Sequence, residues 1–169
     1  MDLLDALNVA IDNERTVRDH YAQCAHQVQD PQGRKVFAIM AREEQGHVEY
    51  LESRLGEWRS KGVVTQATLP TVLPPVATIR AEAGKIAPVP GQVPVQSPEL
   101  EALKRALALE HQASAFYRDL VGKLDATGRS LFERFLEIED GHVLIVQAEI
   151  DALAGHGHWF DFMEFSLEQ

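Results

Sequence analysis

The chain carries one pattern twice, and that repeat limits its possible folds more than any other feature. Glu44 and Glu139 are 95 residues apart, as are His47 and His142, whereas Glu14 and Glu110 are 96 apart, as are Tyr21 and Tyr117. Asp30, Gly33, Arg34 and Phe37 correspond in the same way to Asp125, Gly128, Arg129 and Phe132. A single residue gained or lost between the paired segments accounts for the change of spacing. A unit that recurs once in this manner is a supersecondary element used in duplicate.

Each copy reads as a pair of helices. Leu3, Leu7, Ala10, Val17, Tyr21, Cys24 and Val28 recur at intervals of three and four, which is the period of a helix with one apolar face. Asp2 is placed to cap it. A second helix presents Phe37, Met40, Leu51, Leu55 and Trp58, begins at Asp30-Pro31 and ends near Lys61-Gly62. In the second copy Ser97-Pro98-Glu99 opens a helix with Leu100, Leu103, Leu107, Ser114, Tyr117, Val121 and Leu124 on one face. Asp125 to Gly128 repeats the break, and Phe132, Phe135, Val146 and Leu153 mark the last helix.

Between the copies, residues 63–97 carry Pro70, Pro74, Pro75, Pro88, Pro90 and Pro94, which exclude long helices and leave room for one helical turn near Thr78 to Lys85. A connector of this length suits a chain that must return along a bundle about 40 Å long. The expected fold is therefore all-α: an antiparallel four-helix bundle over residues 1–155, built from two repeated hairpins with one long crossover between helices 2 and 3. Residues 156–169, with Trp159, Phe160, Phe162 and Phe165, form an aromatic tail expected to pack on the bundle or on a partner subunit.

The apolar faces are interrupted in mid-helix. Glu14, Glu44, His47, Glu110, Glu139 and His142 all fall on the inward stripes, where an isolated charge costs several kcal/mol unless paired or metal-bound (roughly, for one ion). Each Glu-x-x-His sets a carboxylate and an imidazole side by side on one helix face. Two copies facing each other supply four Glu and two His, a donor set that bridges and completes a pair of metal ions. Taken singly, each residue is as well explained by a hydrogen-bonded polar layer; six at repeated positions favour metal. Glu149 also falls on the inward stripe, without a role. Glu43, Glu137 and Asp140 lie about 100° round the helix from the ligand positions and are expected on solvated faces. Tyr21 and Tyr117, about 10 Å along the axis from the Glu of their own helix, are either core residues or hydrogen-bond partners of ligand carboxylates, or a one-electron relay. His20, His26 and His111 are expected at the surface, and His156-x-His158 in a turn of the tail.

Composition narrows the rest. A formal charge of −10 argues against nucleic acid and anionic membrane as partners. Cys24 is alone, which excludes an intramolecular disulfide and a Cys-x-x-Cys metal site. No run of about 18 apolar residues is present, and the acidic N-terminal stretch does not read as a signal peptide, so the expected location is the cytoplasm.

Four helices, a crossover after the second, and Glu14, Glu44-x-x-His47, Glu110 and Glu139-x-x-His142 together resemble the ferritin-like superfamily, and within it the rubrerythrin-like (erythrin) branch. The resemblance implies a di-iron centre, with Glu14 and His47 toward one metal, Glu110 and His142 toward the other, and Glu44 and Glu139 bridging; zinc or manganese are possible substitutes. It implies an oxidoreductase of peroxidase or ferroxidase type, which reduces peroxide or dioxygen with Fe(II), in a homodimer. Rubrerythrins proper carry a four-cysteine rubredoxin domain, which these 169 residues lack, so electrons are expected from an external donor. Ala113 and His142 stand where rubrerythrins carry Glu, which makes the ligand pattern more similar to that of bacterioferritin. Iron sequestration in a hollow shell, or a zinc-bound bundle without redox activity, are the competing functions.

Overall fold

The computed structural model describes residues 1–65, 67–86 and 97–163. Among them are five helices and no strand: α1 (Leu3–Gln27), α2 (Pro31–Lys61), α3 (Val76–Ala83), α4 (Pro98–Lys123) and α5 (Ala126–His156). No described helix is long and apolar enough to cross a membrane.

The helix starts are local decisions. Asp2, Asp30, Ser97 and Asp125 each accept a hydrogen bond from the backbone N–H three residues on, at 2.9 to 3.1 Å, satisfying one of the orphan donors of the first turn. Pro31 and Pro98 open α2 and α4, where a missing N–H costs nothing. At the other end Gly62 (φ 67°) and Gly157 (φ 72°) cap α2 and α5 in the left-handed region, which glycine enters without a Cβ penalty. α3 runs from Val76 rather than Thr78. Pro74 and Pro75 hold the backbone extended just before it, and the Pro75 carbonyl accepts from Thr78 and Ile79 N–H at 2.8 and 3.1 Å.

Contacts between elements set their directions. Between α1 and α2, Asn8 meets Arg59, Glu14 meets His47 and Arg18 meets Gln45, so that the number falls on one helix as it rises on the other. The same inversion relates α4 to α5 through Glu110 with His142 and Tyr117 with Phe132. It also relates α1 to α4 through Glu14 with Tyr117 and Tyr21 with Glu110. The result is an all-helical, bundle-like fold of antiparallel neighbours. After α2 the crossover doubles back on it: Arg54 donates to the Thr65 carbonyl, Tyr50 to the Ala67 carbonyl, and Glu43 accepts from Thr71 and Val72. α3 then packs on α5. The crossover prolines Pro88, Pro90 and Pro94 lie outside the described residues, as does the end of the tail with Phe165.

The apolar interior is in two parts. One holds Val17, Tyr21, Phe37, Met40, Leu103, Ile145 and Val146, together with Trp159, Phe160 and Phe162 of the tail. The other holds Leu3, Leu7, Leu51, Tyr117, Leu120, Phe132 and Phe135. The six mid-helix polar residues lie between them. The tail seats on its own chain through Trp159, whose indole meets the Phe37 ring edge-on with centroids 5.8 Å apart. Glu149, for which the sequence offered no role, holds the tail down: its buried carboxylate accepts from Phe160 N–H at 2.8 Å, and its other oxygen has no partner.

The repeated glycines owe their place to packing. A Cβ on Gly33 would stand 2.4 Å from Trp159 Cζ2 and 2.9 Å from Val28 Cγ1, and one on Gly128 would stand 2.9 Å from the Leu124 side chain. Gly33→Ala should therefore unseat Trp159 at a cost of about 1–3 kcal/mol, read as a lowered denaturation midpoint with altered near-ultraviolet circular dichroism.

Burial pushes the Glu149 carboxyl up to about 8, with Asp161 adding to the shift and the Phe160 N–H opposing it. The native state therefore holds a proton that the unfolded chain releases near its ordinary value of 4.5, and stability falls as pH rises from there to about 8. Within that window the slope is at most about 1.4 kcal/mol per pH unit. Glu149→Gln should flatten this part of the melting-temperature profile and leave the protein more stable than wild type at pH 8.

Candidate metal centre

All six mid-helix residues picked out by the repeat meet in one layer. Glu14 comes from α1, Glu44 and His47 from α2, Glu110 from α4, Glu139 and His142 from α5, and each is fully buried at 0% exposure. His47 Nδ1 lies 2.9 Å from Glu14, 3.1 Å from Glu44 and 3.5 Å from Glu139. His142 Nδ1 lies 2.8 Å from Glu44, 3.4 Å from Glu110 and 3.8 Å from Glu139. Glu44 and Glu139 thus touch both histidines, whereas Glu14 touches only His47 and Glu110 only His142. Three donor groups result: Glu14–Glu44–His47–Glu139 and Glu44–Glu110–His142, with Glu44 common to both, and Glu43–His47–His142.

Closeness here is not the same as pairing. The His47–Glu14 contact has the alignment of a hydrogen bond. Both oxygens of Glu44, both of Glu139, one of Glu110 and both ring nitrogens of His142 make no aligned hydrogen bond, although Glu44 lies within ion-pair distance of both imidazoles. Such atoms cost roughly 1–3 kcal/mol each when left bare, and more when charged. Native proteins rarely keep several together. Lone pairs converging within 4.8 Å of one another, in a region sealed by apolar side chains, have the arrangement that a cation requires. The buried Glu/His group can hold a metal ion, and its oxygen-and-imidazole chemistry suits iron, manganese or zinc.

The outer oxygens are tied down by tyrosine. Tyr117 Oη donates to Glu14 and Tyr21 Oη donates to Glu110, each at a short distance and each across to the other hairpin. Tyrosine hydrogen bonds to the site carboxylates are thus present, and they run between the two halves of the chain. Both phenols are raised well above their ordinary value, by burial first and then by the carboxylate each one faces, so they stay protonated as donors.

Without metal the layer neutralises itself. Burial lifts Glu14 to about 7, against the hydrogen bond from His47, and lifts Glu139 well above the carboxylate range, with Glu14 adding to the effect. Burial opposes charge on His47, but Glu44 and Glu14 outweigh it and raise that imidazole to about 10; His142 is raised likewise, chiefly by Glu44 and Glu139. Glu44 goes the other way, because His142 and His47 together overcome the effect of burial. Divalent cations would replace these protons.

Two expectations from the sequence need correction. Glu43 is not on a solvated face; it is 5% exposed beneath the crossover, accepting from Thr71 Oγ1 and Val72 N–H. Asp140, whose side chain is 47% exposed and accepts from Ser114 Oγ at 2.6 Å, and Glu137 lie on solvated faces as expected. His20 is half-buried with Nε2 3.1 Å from the Ala102 carbonyl, whereas His26 and His111 are exposed. Helical angle alone could not reveal Glu43, since what buries it arrives from 28 residues further on. The one available sign was its position four residues before His47.

Comparison with family models, with curated proteins and with solved structures gives no match.

Tyr117→Phe keeps the ring packing but leaves a Glu14 oxygen without its donor, and should cost about 1–3 kcal/mol in the metal-free protein by chemical denaturation. Glu139→Gln should leave the metal-free melting temperature unchanged or higher, since the carboxyl it replaces is already held neutral. The same change should remove most of the stabilisation that added cobalt or zinc gives wild type, about 2.7 kcal/mol at 100 times the dissociation constant and read as a rise in melting temperature.

Proposed function

We infer that the chain is a ferritin-like four-helix bundle of two repeated hairpins that binds a pair of iron ions and reduces peroxide or dioxygen. The observation that supports it best is the set of buried, unpartnered oxygens and nitrogens contributed by both copies of the repeat. Charge agrees. Four carboxylates with two neutral imidazoles match two divalent cations, whereas a purely structural layer would be cheaper with apolar residues of similar volume.

In this assignment Glu14 and His47 would hold one metal and Glu110 and His142 the other, with Glu44 and Glu139 shared between them. Bound iron would supply the electrons that reduce the oxidant. The rest falls to the chain itself. Tyr21 and Tyr117 orient Glu110 and Glu14 by O–H donation, so these carboxylates present their free edges inward. The two apolar halves of the interior exclude bulk water from above and below the layer. In the metal-free layer both imidazoles hold Glu44 ionised, so it would meet a cation without first losing a proton.

Anaerobic titration should show saturation at two Fe(II) per chain, followed by consumption of added peroxide with oxidation of the iron. Glu44→Ala should lose the paired stoichiometry and slow the oxidation by at least about tenfold. Two irons bound by Glu44→Ala with unchanged oxidation kinetics would contradict the assignment. Wild type that takes up zinc but neither oxidises iron nor consumes peroxide would make it a structural bundle.

A further inference from the structure

Glu43 breaks the duplication. Its counterpart in the second hairpin is Ile138, a buried apolar residue, yet Glu43 is itself almost fully buried, one helical turn before His47. Its carboxylate accepts from Thr71 Oγ1 and from Val72 N–H at 3.1 Å, so the crossover supplies both of these partners. A carboxylate has about four acceptor positions, which leaves capacity on the side facing the histidines.

The histidines offer matching donors. The His47 and His142 rings are stacked with an interplanar angle of 4° and centroids 5.3 Å apart. Their Nδ1 atoms turn toward the glutamate cage, and neither Nε2 atom has a partner, although both rings are fully buried. His47 Nε2 stands 3.9 Å from Glu43 Oε1, and one ring nitrogen of each histidine lies within 4.8 Å of a Glu43 oxygen. A shift of about 1 Å brings the nearer pair to hydrogen-bond length. No water from the bulk can serve these nitrogens instead.

We propose that Glu43 is the shared acceptor for the Nε2–H groups of both His47 and His142, and that Thr71 and Val72 tie it to the crossover. One carboxylate, present in one copy only, then orients the imidazoles of both. The inference rests on the metal-binding assignment above and deepens it. An imidazole that ligates through Nδ1 carries its proton on Nε2, and a carboxylate there fixes the tautomer and ring orientation and makes the ring a better donor to metal. A cation on the Glu43 side would need the Nε2 lone pairs, which are not free while Nδ1 is ligated. Glu43 is thus a positioning residue, not a ligand.

The test uses the full chain, as wild type, Glu43→Gln, Glu43→Asp and Thr71→Val, with cobalt(II) as the probe. Two quantities are read: cobalt affinity, and solvent exchange of the histidine Nε2 protons by nitrogen-15 NMR, with and without cobalt. Glu43→Gln should weaken cobalt binding about 10–100-fold and speed exchange at both histidines, also in the metal-free protein. Glu43→Asp, which keeps the charge, should recover part of the loss, and Thr71→Val should show a smaller loss in the same direction. Wild-type affinity and exchange in Glu43→Gln would overturn the inference and leave the metal centre standing. A response at only one histidine would overturn the sharing. Wild type that binds no cobalt would remove the centre itself, and this inference with it.

Discussion

The structure depends on the burial of six ionisable side chains in one layer of an otherwise apolar interior. Stripped of water, each carboxylate and imidazole is worth several kcal/mol of penalty unless something compensates it (roughly, per ion). Hydrogen bonds from two tyrosines and one histidine satisfy part of the layer. The remainder faces inward with lone pairs opposed, and protons or cations must make up the difference. Helix lengths, the antiparallel pairing and the crossover all serve to bring that layer together from four separate helices.

The matched spacing of the two halves of the sequence accounts for the shared layer. A single hairpin contributes one Glu from its first helix and a Glu-x-x-His from its second, which is half of a site and half of an apolar face. Either half alone would leave its inward stripe exposed to water. Packed together, the two halves complete both the core and the site. The tyrosine bonds make the dependence mutual, since Tyr21 of the first copy secures Glu110 of the second and Tyr117 of the second secures Glu14 of the first.

The copies differ where the chain adds something unrepeated. The crossover runs back along α2 through Thr65, Ala67 and Thr71 and buries Glu43 on its way. The tail after α5 covers one end of the interior with Trp159, Phe160 and Phe162, and Glu149 secures it through the Phe160 N–H. At the residue corresponding to Glu149 the first copy has Arg54, which instead donates to the Thr65 carbonyl. Both positions fasten the segment that follows their helix, with opposite hydrogen-bonding polarity.

Much of this was legible in the residues themselves. The helix pattern was readable because burial imposes a period near 3.6, and the starts because Asp30 and Asp125 recur with Gly33 and Gly128 at the spacing of a cap. The six polar residues stood out because they interrupt apolar stripes at repeated positions, a conflict that local sequence can reveal. Partners distant along the chain could not be read in that way. That Tyr117 bonds Glu14, that Thr71 closes over Glu43, and that Gly33 makes room for Trp159 are facts of docking, in which residues 28 to 126 positions apart become neighbours. Periodicity tells a helix which face is inward; only the packed chain decides what that face meets.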